Sequence, residues 1–469
     1  VIPTEDLKTE EMKSLVKAKK GLTLLRPMVL FLIPLLLSNI LQSIGQVFGM
    51  FVVGHWLGED SLAALSAFFP LFFLLISFAI GIGSGSSILI GQAYGAKLED
   101  RLKMIVSTTL SFTLLLSIGI AIIGIIYCED LLRLIGTPVN ILDVSVRYAR
   151  ILFWSIPVLF LYSVYTTLMR GTGDSKTPFY FLILSTILNV VLLPILVFGW
   201  FGVAKLGIYG AAYSSLVSTI LTFITLLIYL HKVKHPLRLE TKISKLTWFD
   251  GEILKMLLKL GIPTSINMIF LSLSEIAVIS FVNKYGSEAT ASYGVVNQLL
   301  SYVQMPALCI SITVSIFAAQ SIGAKQYERL NQVIRIGILL NYVIVGGIIV
   351  LTYVFSKPIL TLFLTSQNTI TIANSLLMIT LWSYLLLGHT FILSSTMRAS
   401  GTVLLPTIIS ILSIWCIEVP VAYILSHSTS LGLKGIWLGY PAAFLIGLGL
   451  QYLYYRLSWK TKRIERLVS

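Results

Sequence analysis

"IVSTTLSFTLLLSIGIAIIGIIY" (residues 105–127) and "IGILLNYVIVGGIIVLTYVF" (336–355) decide the fold. Each is an apolar run of the roughly 20 residues needed to cross a hydrocarbon layer. Neither carries a charge, and neither alternates apolar with polar residues as a barrel strand would. In hydrocarbon only helices and closed barrels satisfy their backbone groups, so these runs are helices. The rest of the 469-residue chain agrees: 56% of it is hydrophobic and 12% is charged, with a mean hydropathy of +0.91. A soluble domain carries roughly 25% charged residues. The solvent for most of this chain is therefore lipid.

Working outward from these runs predicts twelve spans, near 28–56, 62–90, 104–127, 146–168, 178–200, 208–230, 254–283, 289–318, 332–354, 371–395, 405–426 and 433–455. The formal net charge is +14. Its bases concentrate in three places: Lys8, Lys13, Lys17, Lys19, Lys20 and Arg26; Lys232, Lys234, Arg238, Lys242 and Lys245; and Lys460, Lys462, Arg463 and Arg466. An even number of spans puts all three on one side, which the positive-inside rule makes the cytoplasm. Topology thus accounts for the positive charge, and no nucleic-acid partner is expected. The expected location is the cell membrane, multi-pass, with both termini cytoplasmic. No cleavable signal is visible, and Val1 in place of a start methionine suggests a trimmed or processed chain.

The chain repeats itself. "GQAYGAKLEDRLK" (91–103) returns as "AQSIGAKQYERLN" (319–331), an offset of 228 residues, and "LMRGTGDSKTP" (168–178) returns as "TMRASGTVLLP" (396–406) at the same offset. "LGEDSLAA" (57–64) is echoed by "YGSEATAS" (285–292), and Pro34 by Pro263 one residue further on. Repeats separated by an even number of spans share orientation, which places a substrate site near the midplane between them. The expected organisation is a cytoplasmic segment 1–27, an N-lobe 28–230, a cytoplasmic linker 231–253, a C-lobe 254–455 and a cytoplasmic tail 456–469. The fold class is all-α polytopic membrane protein, with twelve transmembrane helices in two pseudo-symmetric six-helix lobes.

Ionisable residues inside a membrane are costly and mark function. Glu275 lies in "SINMIFLSLSEIAVISFV" (265–282), on a face with Thr264, Met268 and Ser272. Glu418 lies in "IISILSIWCIEVPVAYIL" (408–425), two residues before Pro420. That proline has no N–H for the carbonyl of Cys416, which leaves an acceptor free beside the carboxylate. At an offset of 229, Gln46 and Ser43 are the first-half counterparts of Glu275 and Ser272; near Pro194 the first half has Asn189 but no acid. Any charge coupling is therefore expected in the second half. Desolvation favours the protonated form of a carboxylate. One acid can then hold a proton or a cation, but not both, and this exclusion is the basis of antiport. The coupling ion is H⁺ or Na⁺, with no other cofactor.

Asn297, Gln298 and Gln304 of the eighth span, with Tyr293 and Tyr302 nearby, either line a cavity or bond helices together. His389 either titrates or packs, and Trp382 and Trp415 either stack on flat cations or sit as ordinary membrane tryptophans. Gln46, Ser272, Asn297, Gln298, Tyr302, Gln304, His389 and Trp415 make up the expected substrate cavity. Arg170 and Arg398 are expected to bond carbonyls at helix ends. The alternating glycines of "GIGSGSS" (81–87) do not follow a strand; they predict close helix packing, not dinucleotide binding. Cys128, Cys309 and Cys416 have no metal-ligand spacing. No phosphate-binding loop, no H-E-x-x-H and no clustered catalytic triad occurs, so no enzyme is expected.

The blocks "VVGHWLGEDSLAA" (52–64), "GQAYGAK", "LMRGTGDSKTPFYF" (168–181) and "LNVVLLPILVFGWFGVAKLGIYGAAYSS" (188–215), with their second-half echoes, resemble the multidrug and toxic compound extrusion (MATE) family over roughly residues 28–455. The resemblance implies two V-arranged lobes and sodium- or proton-driven export of amphipathic, often cationic, organic compounds. The chain departs from the family in two places. "GQVFGMFVVGHWLG" (45–58) has Gly49 or Met50 where many bacterial members carry an aspartate, and Leu193 precedes Pro194 where another branch does. The expected function is cation-coupled antiport by alternating access, carried by Glu275 and, in a supporting role, Glu418. A monomer is expected. The alternative is a lipid-linked oligosaccharide flippase of related fold, which would need basic cavity residues that the spans do not show at depth.

Overall fold

The structure is a computed structural model, and it describes residues 23–238 and 249–468, the side chain of Glu59 excepted. Lys8, Lys13, Lys17, Lys19, Lys20, Lys242 and Lys245 lie outside the described residues. Among those described there is no strand, and twelve helices are long and apolar enough to cross a membrane. They are spans 1 to 12: Thr23–Leu57, Asp60–Gly95, Glu99–Ile126, Val139–Gly171, Lys176–Phe198, Ile208–Lys232, Gly251–Asn283, Ser287–Gly323, Tyr327–Val354, Gln367–Ala399, Leu404–Ser428 and Leu433–Trp459. Hydroxyl side chains inside the spans meet their needs locally. Ser117 donates to the Leu114 carbonyl (3.0 Å), Thr313 to Cys309 (2.8 Å) and Thr396 to Ile392 (2.8 Å), the back-bonding that lets Ser and Thr reside in a membrane helix.

The repeat extends to backbone detail. Lys97 and Lys325, 228 residues apart, both take a left-handed φ (58° and 55°), and Gly58 pairs with Gly286, and Gly173 with Gly401, in the same sense. Short helices Cys128–Leu134 and Ser356–Thr361 fill the connection after spans 3 and 9. The two halves differ where the second is irregular. Spans 9 and 11 contain π-turns at Asn341–Val345 and Ser413–Glu418, and span 10 a 3₁₀ turn at Leu381–Ser383. The π-turn of span 11 runs up to the missing N–H of Pro420. Such insertions are frequent at functional sites.

The compact units divide differently from the halves expected from sequence. Among the described residues, one unit comprises those up to Leu36 with Phe270–Arg466, and the other those from Leu37 to Ile269 with Leu467 and Val468. Packing is the reason. Met28, Phe31, Leu32 and Leu35 of span 1 are buried in the core built by spans 8, 9, 10 and 12, where Phe31 meets Phe317 edge-on at 5.8 Å. In the other unit the first part of span 7 packs on the glycine-rich face of span 2. A Cβ at Gly81 would lie 2.0 Å from Ser265 Oγ and 2.6 Å from the Gly261 carbonyl, and Ser265 Oγ donates to the Ser77 carbonyl at 3.1 Å. The "GIGSGSS" stretch is thus a helix-packing face. In the same unit the linker's ends are fastened. The Tyr165 hydroxyl donates to the Leu237 carbonyl, and the Asp250 amide donates to Thr108 Oγ1 at 3.1 Å.

Candidate functional site

Both membrane glutamates belong to the unit that holds residues 270–466. Glu418 ends the π-turn of span 11 and is 4% exposed. Glu275, on span 7, is exposed and lies within electrostatic range of Glu418. Among the described residues neither carboxylate has a hydrogen-bond or salt-bridge partner, and no group of three or more His, Cys, Asp or Glu side chains forms a metal cage. An uncompensated buried carboxylate is costly in its ionised form, so this is a place where a proton or a small cation is worth binding.

Span 12 builds the wall behind Glu418. Small residues recur at every fourth position, Gly435, Gly439, Ala443 and Gly447, and bring spans 11 and 12 into backbone contact. A Cβ at Gly435 would lie 2.5 Å from the Leu425 carbonyl carbon, and one at Gly439 would lie 2.8 Å from the Glu418 carbonyl oxygen. Tyr440, next to Gly439, thereby lies within electrostatic range of Glu418. Tyr440 and Tyr293 share a hydrogen bond between their hydroxyls (2.9 Å), and Tyr293 stacks on Trp437 with ring centroids 5.9 Å apart. Tyr293, Tyr384 and Tyr440 all lie within electrostatic range of Glu418. Tyr384 and Tyr440 were not singled out by the sequence reading. The four-residue spacing of small residues in span 12 is the signal that would have found the second of them.

The other expected cavity residues are dispersed. Ser272 is half-buried on span 7, one turn before Glu275. On span 8 Gln298 and Tyr302 are exposed, Asn297 and Gln304 half-buried, and Ser301 donates to the Asn297 carbonyl at 2.9 Å. Gly294, Gln298, Ser301 and Tyr302 follow 4, 3, 1 spacing and form one exposed polar face of that helix. Trp415 is engaged: its indole N–H donates to the Phe270 carbonyl at 3.1 Å, and its ring meets Phe270 edge-on at 6.1 Å. His389 is half-buried and bonds the Tyr342 hydroxyl through Nδ1 at 3.2 Å, in span 9. Gln46 is exposed and belongs to the other unit, as do Thr264 and Met268. Arg398 departs from expectation. Among the described residues its guanidinium makes no hydrogen bond, and its Nε is buried without a partner.

With this geometry in hand, comparison with known proteins is informative. The family model described as MatE matches residues 34–195 and again 263–424, the same displacement that separates Pro34 from Pro263. "Probable multidrug resistance protein YoeA" of Bacillus subtilis is 62% identical over 463 residues, covering 99% of this chain and all of the relative. "Probable multidrug resistance protein YpnP" of the same organism is 31% identical, covering 94% of this chain and 97% of the relative. Among solved structures, a mutant of the Vibrio cholerae MATE transporter VcmN superposes with a TM-score of 0.86 at 20% identity, over 95% of this chain and 99% of that one. That likeness shows the fold.

Proposed function

Since the chain belongs to the MATE family of multi-pass membrane transporters, and is therefore no enzyme, we propose that it is a cation-coupled antiporter exporting amphipathic, cationic organic compounds by alternating access. One observation carries the coupling assignment. Glu418 is buried without a partner, and Glu275, within its electrostatic range, is open. In this reading Glu275 is the main exchange site, where ion and cargo compete, and Glu418 is the auxiliary acid that holds the ion away from water. The moving bodies are the two compact units, whose boundaries fall within spans 1 and 7 and not at the ends of the repeats 28–230 and 254–455. The polar face of span 8, with Gln298, Ser301 and Tyr302, offers hydrogen bonds and an aromatic ring to the cargo, supported by Asn297, Gln304 and Ser272 from the same unit.

The substrate class rests on the names of the relatives, multidrug resistance proteins, and on the uncompensated negative charge, which suits a cationic cargo. The flippase alternative has no support from the family match. In this reading the transporter lies in the plasma membrane with both termini cytoplasmic, as a monomer acting on small molecules and not on nucleic acid. One-for-one exchange of a monovalent ion for a monocationic cargo moves no net charge, so the ion's concentration gradient drives it, at about 1.4 kcal/mol per tenfold difference.

The test is efflux from proteoliposomes under an imposed pH or sodium gradient. Glu275→Gln abolishes gradient-driven export while the protein still folds, and Glu418→Gln weakens it severely. Gln46→Ala is mild. Full export by Glu275→Gln overturns the assignment. A loss in Gln46→Ala equal to that in Glu275→Gln moves the coupling to the other unit. Whichever gradient drives the wild type identifies the ion.

A further inference from the structure

The hydroxyl pair beside Glu418 has a geometry that simple packing does not require. Tyr293 and Tyr440 are 4% and 7% exposed, and their oxygens lie 2.9 Å apart. Tyr293 lies flat on Trp437, the planes 8° from parallel, and Tyr440 meets Phe444 edge-on at 6.2 Å. Trp437 is fully buried and its own N–H has no partner, so its contribution is shape: it holds the Tyr293 ring still. With both rings fixed, the freedom left to the pair is rotation of its two O–H bonds. Tyr440 follows Gly439, the residue whose missing side chain admits the Glu418 backbone.

We propose that the Tyr293–Tyr440 hydroxyl pair is a positioning device for Glu418. In the structure the two hydroxyls bond each other, the arrangement we assign to the acid holding its proton or ion. When the acid is left bare, the Tyr440 hydroxyl turns to the carboxylate, directly or through one water, and Tyr293 donates to Tyr440 behind it. This rests on the reading of Glu418 as an ion-holding acid.

The strength of the interaction decides why phenols stand here. A buried salt bridge to Lys or Arg would hold the acid permanently ionised, since breaking one costs about 3–5 kcal/mol. A hydrogen bond to a charged group contributes about 1.5–3 kcal/mol, enough to stabilise the bare acid and small enough to reverse. Linked hydroxyls polarise one another, so the second strengthens the first. The titratable groups facing Glu418 are Glu275 on span 7, Tyr293 on span 8, Tyr384 on span 10 and Tyr440 on span 12. No basic side chain of the described residues contributes, which leaves the phenols as the donors available to the acid when it ionises.

The experiment is an infrared pH titration of the purified full chain in liposomes, following the carboxylic C=O band that Glu418→Gln removes. Tyr440→Phe moves the midpoint of that band upward by about one pH unit, and Tyr293→Phe moves it the same way by less. Each variant leaves the other buried hydroxyl unpaired, so its unfolding temperature falls; the band is therefore read well below that temperature, where the variant is still folded. Efflux of preloaded ethidium shows the same displacement of its pH profile, and Tyr440→Phe adds nothing in a Glu418→Gln background. An unmoved or downward midpoint in both tyrosine variants overturns the device while leaving the role of Glu418 intact. If Glu418→Gln removes no titrating band and exports normally, the reading of Glu418 fails and the device with it.

Discussion

At the scale of single residues, Gly439 and His235 each test a physical claim. The backbone of span 11 occupies the place of the missing Gly439 Cβ, and backbone cannot step aside as a flexible side chain can. Gly439→Ala is therefore expected to destabilise the protein by about 1–3 kcal/mol, read as a lower unfolding temperature in detergent. It should also disturb export, because the displaced turn carries Glu418. A midpoint of unfolding equal to wild type would mean that spans 11 and 12 do not approach so closely. His235 lies in the connection after span 6, where its Nδ1 accepts the Leu237 amide at 3.2 Å. Burial lowers its proton affinity below the ordinary histidine range, and Asp174 opposes this only partly. Protonation would also cost the Nδ1 acceptor. The neutral form is thus the one the folded state prefers. The stabilisation is present above the ordinary value of about 6.5 and is lost as pH falls below it, since the unfolded chain then binds the proton that the folded chain resists. Protection of the Leu237 amide from hydrogen exchange, relative to the intrinsic rate at each pH, should fall at pH below that value, and should not change with pH in His235→Phe. The position of the acids was legible in the sequence because charge in an apolar run is conspicuous. Tyr384 and Tyr440 beside them were not, because tyrosine is unremarkable in a membrane helix until packing selects its neighbours.

At the scale of elements, the "GAK" turns after spans 2 and 8 repeat a strained conformation. Lys97 and Lys325 hold a left-handed φ that a side chain disfavours and glycine does not. Lys97→Gly and Lys325→Gly should each raise stability by about 0.5–1 kcal/mol if the side chain has only this local cost. Unfolding temperature measures it, and a decrease would show that the lysine side chains hold the turn. The recurrence of these turns, of Gly58 with Gly286 and of Gly173 with Gly401, was readable as matching sequence blocks. The π-turns of spans 9 and 11 were not. Only Pro420 announced one of them, by its missing N–H. For the other, Asn341 on the π-turn reaches the Leu385 carbonyl at 3.1 Å, in a space left open by the absent side chain of Gly388. No local pattern around Asn341 encodes that partner.

For the whole molecule, orientation is the most accessible prediction. In a chain whose own cysteines are replaced by alanine, Leu134→Cys and Leu362→Cys, at exposed positions after spans 3 and 9, should react with a membrane-impermeant maleimide in intact cells. Phe249→Cys, in the linker, should react only after the cells are opened. Labelling of Phe249→Cys alone in intact cells would reverse the topology. The sequence by itself determined that this chain lives in lipid, crosses it twelve times, repeats once and keeps its acids in the second half. Those properties are periodic or compositional, and hydrocarbon enforces them segment by segment. What only the tertiary structure decided was membership: that span 1 up to Leu36 packs with the second repeat, that span 7 changes company at Phe270, and that Glu418 faces phenols and not a base. These depend on which side chains from distant segments fill the same space, a property no single segment carries.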